Sequence, residues 1–134
     1  MNGPVGAEAT LSWIPDELGV FDPARLEELD ELLPPDEAKA AKAELVALFL
    51  TTAAARIADA EAAHRTGDRR GLVTAAHSLK GMSSMIGATR LQHAAGLIER
   101  TAAQSTLDLG EPVTALAPEL ARLRAAVSSI GSSL

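Results

Sequence analysis

From Asp22 to Ile130, apolar residues return at every third or fourth position, and glycine, proline or aspartate closes each periodic stretch. That spacing lines one face of an α-helix; a strand would need a repeat of two. Alanine fills much of the rest, 27 of 134 residues. It is the strongest helix former and small enough to let helices approach closely. The sequence therefore predicts an all-α protein. It contains no strand pattern and no internal repeat.

Five helices are expected. Asp22-Pro23 starts a short first one, with aspartate as cap and proline at the first helical position, and Leu26, Leu29 and Leu33 follow at helical spacing. Pro34-Pro35 ends it. Asp36 caps a second helix running to about His64, with a broad apolar arc of Leu45, Val46, Leu48, Phe49, Leu50, Ala53 and Ile57. Such an arc suits a helix covered by more than one neighbour. Thr66-Gly67-Asp68 breaks it and Asp68 caps the third helix, about 69 to 87, which Gly87 closes. The fourth, about 89 to 106, turns Leu91, Ala94, Ala95, Ile98 and Ala102 inward. The fifth, about 112 to 130, carries Leu116, Leu120, Leu123, Val127 and Ile130, and Pro118 either kinks it or marks its true start. Short turns between successive helices are the mark of an antiparallel bundle. Residues 1–20, rich in glycine, proline and small residues, read as a flexible leader from which Leu11, Trp13 and Ile14 dock on the bundle. Residues 131–134 read as a flexible tail.

Several functions are excluded by what the chain lacks. A net charge of −6 and only three aromatic residues argue against nucleic acid, which demands basic stripes and stacking platforms. No cysteine is present, so disulfides and thiolate metal sites are out, as a reducing cytoplasm would allow. Neither a signal peptide nor a membrane-length apolar run is visible. The opening methionine reads as the start of a stand-alone cytoplasmic protein, expected to be a monomer. There is no glycine-rich nucleotide loop or kinase signature.

The chemistry concentrates in the third helix. Its core stripe is Leu72, Ala75, Leu79, Met82 and Ile86; Arg70, Val73, Thr74, His77, Lys80, Gly81 and Ser84 cluster on the other side. A surface histidine alone is ordinarily only solvated. Here a lysine lies at i+3 and a glycine at i+4, and a mid-helix glycine costs about 1 kcal/mol relative to alanine, so Gly81 asks for a steric reason. An imidazole is a good nitrogen nucleophile near neutral pH. Phosphoryl transfer needs it exposed, oriented and close to positive charge. Lys80 supplies the charge, while Gly81, Thr74 and Ser84 keep the approach clear. Arg70 and Val73 border that clearing and, with Thr74 and Ser84, are the expected docking residues. Glu99, about 80° from Leu91 on the fourth helix, is placed to reach across, hold one ring nitrogen and fix the tautomer. His93, about 200° from Leu91, reads as solvated on the outer face. His64 sits at a helix C-terminus, where the dipole favours a cation. Neither receives a role.

Ala76-His77-Ser78-Leu79-Lys80-Gly81, followed by Ile86-Gly87-Ala88, Leu91 and Leu97-Ile98-Glu99, resembles the histidine-containing phosphotransfer (HPt) domain family. Gly67-Asp68, Phe49-Leu50 and Phe21-Asp22-Pro23 with Leu26 extend the likeness to about residues 21–127. The resemblance implies a four-helix bundle with a short extra N-terminal helix, the domain occupying 21–130. It implies phosphorylation of His77 at Nε2, phosphoryl stabilisation by Lys80, partner access at Gly81 and ring orientation by Glu99, where many stand-alone members carry glutamine. Implied partners are response-regulator receiver domains and a sensor or hybrid histidine kinase. Mg²⁺ is expected on the receiver, with no cofactor or metal on this chain. Strictly this is a phosphocarrier, not an enzyme. The same residues leave three rivals: a fragment of a larger hybrid kinase, a receiver-binding scaffold or decoy never phosphorylated, and a metal site of His64, His77 and His93, for which the helical phases are unsuitable.

Overall fold

The computed structural model describes residues 14, 15 and 17–131. Among them the only regular structure is helix: α1 (Ala24–Glu27), α2 (Leu29–Leu32), α3 (Pro35–Arg65), α4 (Arg69–Ile86), α5 (Thr89–Gln104), α6 (Gly110–Thr114), α7 (Leu116–Ala126) and α8 (Ser128–Gly131). Helix α3 packs on α4, α4 on α5, α5 on α7 and α7 back on α3, which closes a four-limbed bundle. The short N-terminal helix arrives as two single turns, α1 against α4 and α2 against α3.

Local chemistry sets the boundaries. The Asp22 carboxylate accepts from the Ala24 N–H at 3.0 Å, and Pro23 already has helical φ and ψ of −72° and −9°. Leu33 turns extended before the two prolines, as a residue preceding proline must. Helix α3 then starts at Pro35, not after Asp36. Pro34 is the capping residue, and Asp36 and Glu37 occupy the first turn, where carboxylates complement the dipole. The fifth expected helix comes as three pieces and begins at Gly110, two residues early. Pro118 marks a start: it cannot donate to the Thr114 carbonyl and its ring would strike it, so the helix breaks at Ala115 and Pro118 falls in the first turn of α7. Helix α5 ends at Gln104 with Ser105 extended. Arg69 on α4 donates to the carbonyls of Ser105 and, at 2.9 Å, Leu107, which ties down the loop that follows.

The core runs the length of the bundle. Leu72, Leu79, Leu91, Ile98, Leu116 and Leu123 are buried, as are Ala53, Ala60, Ala76, Ala94 and Ala95, and burying each leucine or isoleucine is worth about 2 kcal/mol. The inward stripes expected on α4, α5 and α7 are seated here, with Met82 and Ile130 only half-buried. The arc expected on α3 is too wide. Leu45 and Leu48 are 44% and 65% exposed, because no neighbouring helix covers that side.

Ile14 is buried in the core cluster. Arg90 donates to the carbonyls of Pro15 and Leu18 and forms a two-point ion pair with the buried Glu119, both contacts at 2.9 Å. Thr89 donates to the Gly19 carbonyl. The last part of the expected leader is therefore fastened to α5 and α7. Leu11 and Trp13 lie outside the described residues, as do residues 132–134 of the expected tail; its first residue, Gly131, instead belongs to α8.

Gly87 joins two parts of the fold. Its φ of 88° is left-handed, its carbonyl accepts from the Asp22 N–H at 2.8 Å, and a Cβ would collide with the Asp22 carbonyl oxygen. Gly67 has φ 74° but open space around it. Gly87→Ala should therefore cost more than strain alone, about 3 kcal/mol, against about 1 kcal/mol for Gly67→Ala. Urea unfolding of the two variants checks the order.

Candidate functional site

Helix α4 is built to stand His77 out in the open. Asp68 is extended and accepts from the Gly71 N–H at 2.9 Å, which caps the start, and left-handed Gly87 closes the end. His77 falls in the middle, where the backbone is firmly held. Ala76 and Leu79 face inward and are fully buried, while the His77 side chain is 69% exposed.

Helix α5 delivers the partner. Leu91, Ala94, Ala95 and Ile98 lock it against the core, and Glu99 emerges at the seam with α4, 18% exposed. One carboxylate oxygen, Oε2, lies 2.6 Å from His77 Nδ1. The other, Oε1, lies 2.6 Å from Lys80 Nζ, an ion contact rather than an aligned hydrogen bond. Glu99 thus bridges both side chains of α4.

This geometry fixes a protonation pattern. Contact with the Lys80 ammonium is the first cause holding Glu99 below the usual glutamate range; burial pushes the other way, and the hydrogen bond to His77 lowers it further. A carboxylate can only accept, so Nδ1 carries a proton and donates it to Oε2. In the neutral ring the Nε2 lone pair is then left free, on a side chain that is 69% exposed.

The remaining expected residues fall as follows. Gly81 is exposed, and a Cβ built on it would meet nothing within 4 Å. Arg70 and Thr74 are exposed, the Thr74 hydroxyl donating to the Arg70 carbonyl at 3.0 Å. Ser84 is half-buried. Val73 is half-buried and packs against the core, so it offers less free surface than its helical phase suggests. His64 Nε2 lies 3.6 Å from an Asp108 oxygen. His93 is half-buried and not simply solvated. Among the described residues no three histidine, cysteine, aspartate or glutamate side chains gather as a metal ion would need, and no helix is long and apolar enough to cross a membrane.

Two features escape a reading of the sequence. One is an apolar groove between α3 and α4, lined by Leu26, Leu45, Leu48, Phe49, Met82 and Met85, with Met85 80% exposed. Periodicity marks such residues as core and gives no sign that nothing covers them. The other is Gly96 on α5, whose missing side chain leaves room for Lys80. The available signal was a glycine inside a helix, one turn before Glu99.

A bundle that exposes one oriented imidazole beside a lysine is the architecture of a phosphoryl carrier. Residues 44–130 match the model of the Hpt domain, and the chain belongs to that family: it is a histidine phosphotransfer protein of a phosphorelay. The chain is similar to the crystal structure of histidine-containing phosphotransfer protein B (HptB) from Pseudomonas aeruginosa PAO1, with 26% identity and a TM-score of 0.74, covering 86% of this chain and 96% of that one. No curated protein matches. The family match begins at Glu44, so Phe21-Asp22-Pro23 and Leu26 lie outside it.

Because the folded-state value of Glu99 is depressed, its ionised form adds stability. That contribution is full above the ordinary glutamate value and is lost as pH falls through the lowered one. Urea titrations across the acid range should show this increment in the wild type and its absence in Glu99→Gln.

Proposed function

We propose that His77 accepts a phosphoryl group from a receiver-domain aspartate or a histidine kinase and passes it to a response-regulator receiver aspartate. One observation carries this reading: the exposed His77 ring donates through Nδ1 to Glu99, which leaves Nε2 as a free nucleophile.

In the accepting step, the Nε2 lone pair attacks the phosphorus of a receiver's aspartyl phosphate. The P–N bond forms, the P–O bond to the aspartate breaks, and the aspartate leaves as a carboxylate. The ring keeps its Nδ1 proton and becomes cationic; Glu99 stabilises that charge through the same hydrogen bond. Lys80, one turn beyond His77, is placed to pair with a phosphoryl oxygen as negative charge accumulates. The outgoing step reverses these events on a second receiver, whose acceptor aspartate and Mg²⁺ belong to that partner. His77, Lys80 and Glu99 come from one chain, so a monomer suffices. Such partners place the protein in the cytoplasm.

The partner's footprint follows from what surrounds the ring. Gly81 lets another backbone approach closely, with exposed Arg70 and Thr74 on the near side. On the far side, Met85 and Met82 lead into the apolar groove, about 12 Å along the helix from His77. An uncovered apolar face continuous with the reactive residue is the mark of a protein partner.

His77→Gln should fold normally and take no acid-labile, base-stable phosphate from a phosphorylated receiver; a scaffold or decoy would instead bind receivers equally well in either form and take no label. Gly81→Leu meets open space, so its melting temperature should hold or rise, while transfer slows about tenfold or more. Normal transfer in that variant overturns the steric role. Met85→Glu should raise the receiver concentration needed for half-maximal transfer, with far-UV circular dichroism unchanged.

A further inference from the structure

We infer that Gly96 is a positioning residue for Lys80: its missing side chain is the slot through which the lysine stem crosses α5 to reach Glu99. This rests on the phosphotransfer reading above and extends it to a residue that touches neither histidine nor phosphate.

The three heavy atoms nearest a Cβ built at Gly96 are Lys80 Cδ at 3.3 Å, Arg100 Nη1 at 3.3 Å and Lys80 Cγ at 3.9 Å. All belong to long flexible side chains, and none to the backbone of a neighbouring helix. The usual reason for glycine in a packed helix, close approach of two backbones, is therefore missing here. The neighbours along α5, Ala94, Ala95 and Ile98, are the ones that meet the core, each buried without remainder. Gly96 sits one turn before Glu99, directly under the path of the lysine stem, and Lys80 Nζ ends 2.6 Å from Glu99 Oε1. A methyl group at 96 would press on Cδ; a branched side chain would occupy the volume that Cγ and Cδ now fill. The stem would be lifted off α5, and the ammonium would lose its carboxylate.

The consequence concerns the aim of a charge. Both rotamer-rich halves of the pair must be held before a phosphoryl group arrives, because a cation ordered only at the moment of transfer contributes less. Glu99 anchors the tip of Lys80, and the floor at Gly96 admits its stem. Arg100 Nη1 borders the same opening, so the experiment must separate the two side chains.

Gly96→Ala and Gly96→Val are compared with wild type in the Lys80→Ala and Arg100→Ala backgrounds. Phosphoryl transfer from a phosphorylated receiver and the NMR titration of the Glu99 carboxyl carbon are measured in the intact chain. We expect Gly96→Val to slow transfer about tenfold, as loss of one charge-assisted contact would, and Gly96→Ala by less. We expect the Glu99 midpoint to move up in Gly96→Val, since its first stabilising contact is the Lys80 ammonium. The slowing should vanish in the Lys80→Ala background and persist in the Arg100→Ala background. The melting temperature of Gly96→Ala should hold or rise, because alanine suits a helix better.

The inference is overturned if Gly96→Val leaves the Glu99 midpoint in place, if its effect survives removal of Lys80, or if Gly96→Ala melts several degrees lower, which would make the glycine a packing residue. The titration needs no transfer. If the wild type took no phosphate, the phosphotransfer reading would fall while the slot itself would still be judged by the Glu99 midpoint.

Discussion

The narrow seam between α4 and α5 governs everything at the site. Ala75, Ala76 and Leu79 on one side meet Ala94, Ala95 and Ile98 on the other, all buried. A carboxylate side chain is short, and it can bridge two residues on a neighbouring helix only if the backbones lie close. Larger residues in that seam would widen it and leave Glu99 facing water. The alanine content that first marks the chain as helical is thus also what makes the bridge possible.

Glu99 then connects packing to reactivity. It is less than a fifth exposed and touches two groups of opposite purpose: an imidazole that must give up an electron pair, and an ammonium that must receive negative charge. An amide at that position could accept a hydrogen bond from Nδ1, but it could not hold Lys80 by charge. The carboxylate therefore orders the cation as well as the ring. The division of labour between two glycines follows similar lines. Gly87 satisfies the fold, through its left-handed φ and contact with Asp22, whereas Gly81 satisfies nothing within the chain.

Much of this was legible in the residues themselves. Helical phase placed His77 opposite Leu72 and Leu79, and put Glu99 at the edge of the α5 stripe, because both follow from a fixed rotation per residue. Caps at Asp22 and Asp68 and the stop at Gly87 were readable for the same local reason. What was lost is what depends on a second element. Leu45 and Leu48 have core-like phase, yet no helix comes to cover them. The fixing of Pro15 and Leu18 depends on Arg90, seventy-odd positions away. Gly96 looks like one more small residue among alanines until the stem of Lys80, sixteen residues earlier, is seen crossing it. Pro118 was ambiguous because its missing N–H and bulky ring suit either a kinked helix or the first turn of a new one.

The bridge has an electrostatic corollary. With the ring neutral, the resting triad sums to zero: one ammonium, one carboxylate and an uncharged imidazole. A phosphoryl group brings on the order of two negative charges; the ammonium and the newly cationic ring oppose them, and the carboxylate leaves the loaded triad negative by about one charge. The empty face is therefore neutral and the loaded face negative within a Debye length of about 8 Å. An approaching donor and a departing acceptor meet two different fields on one and the same surface.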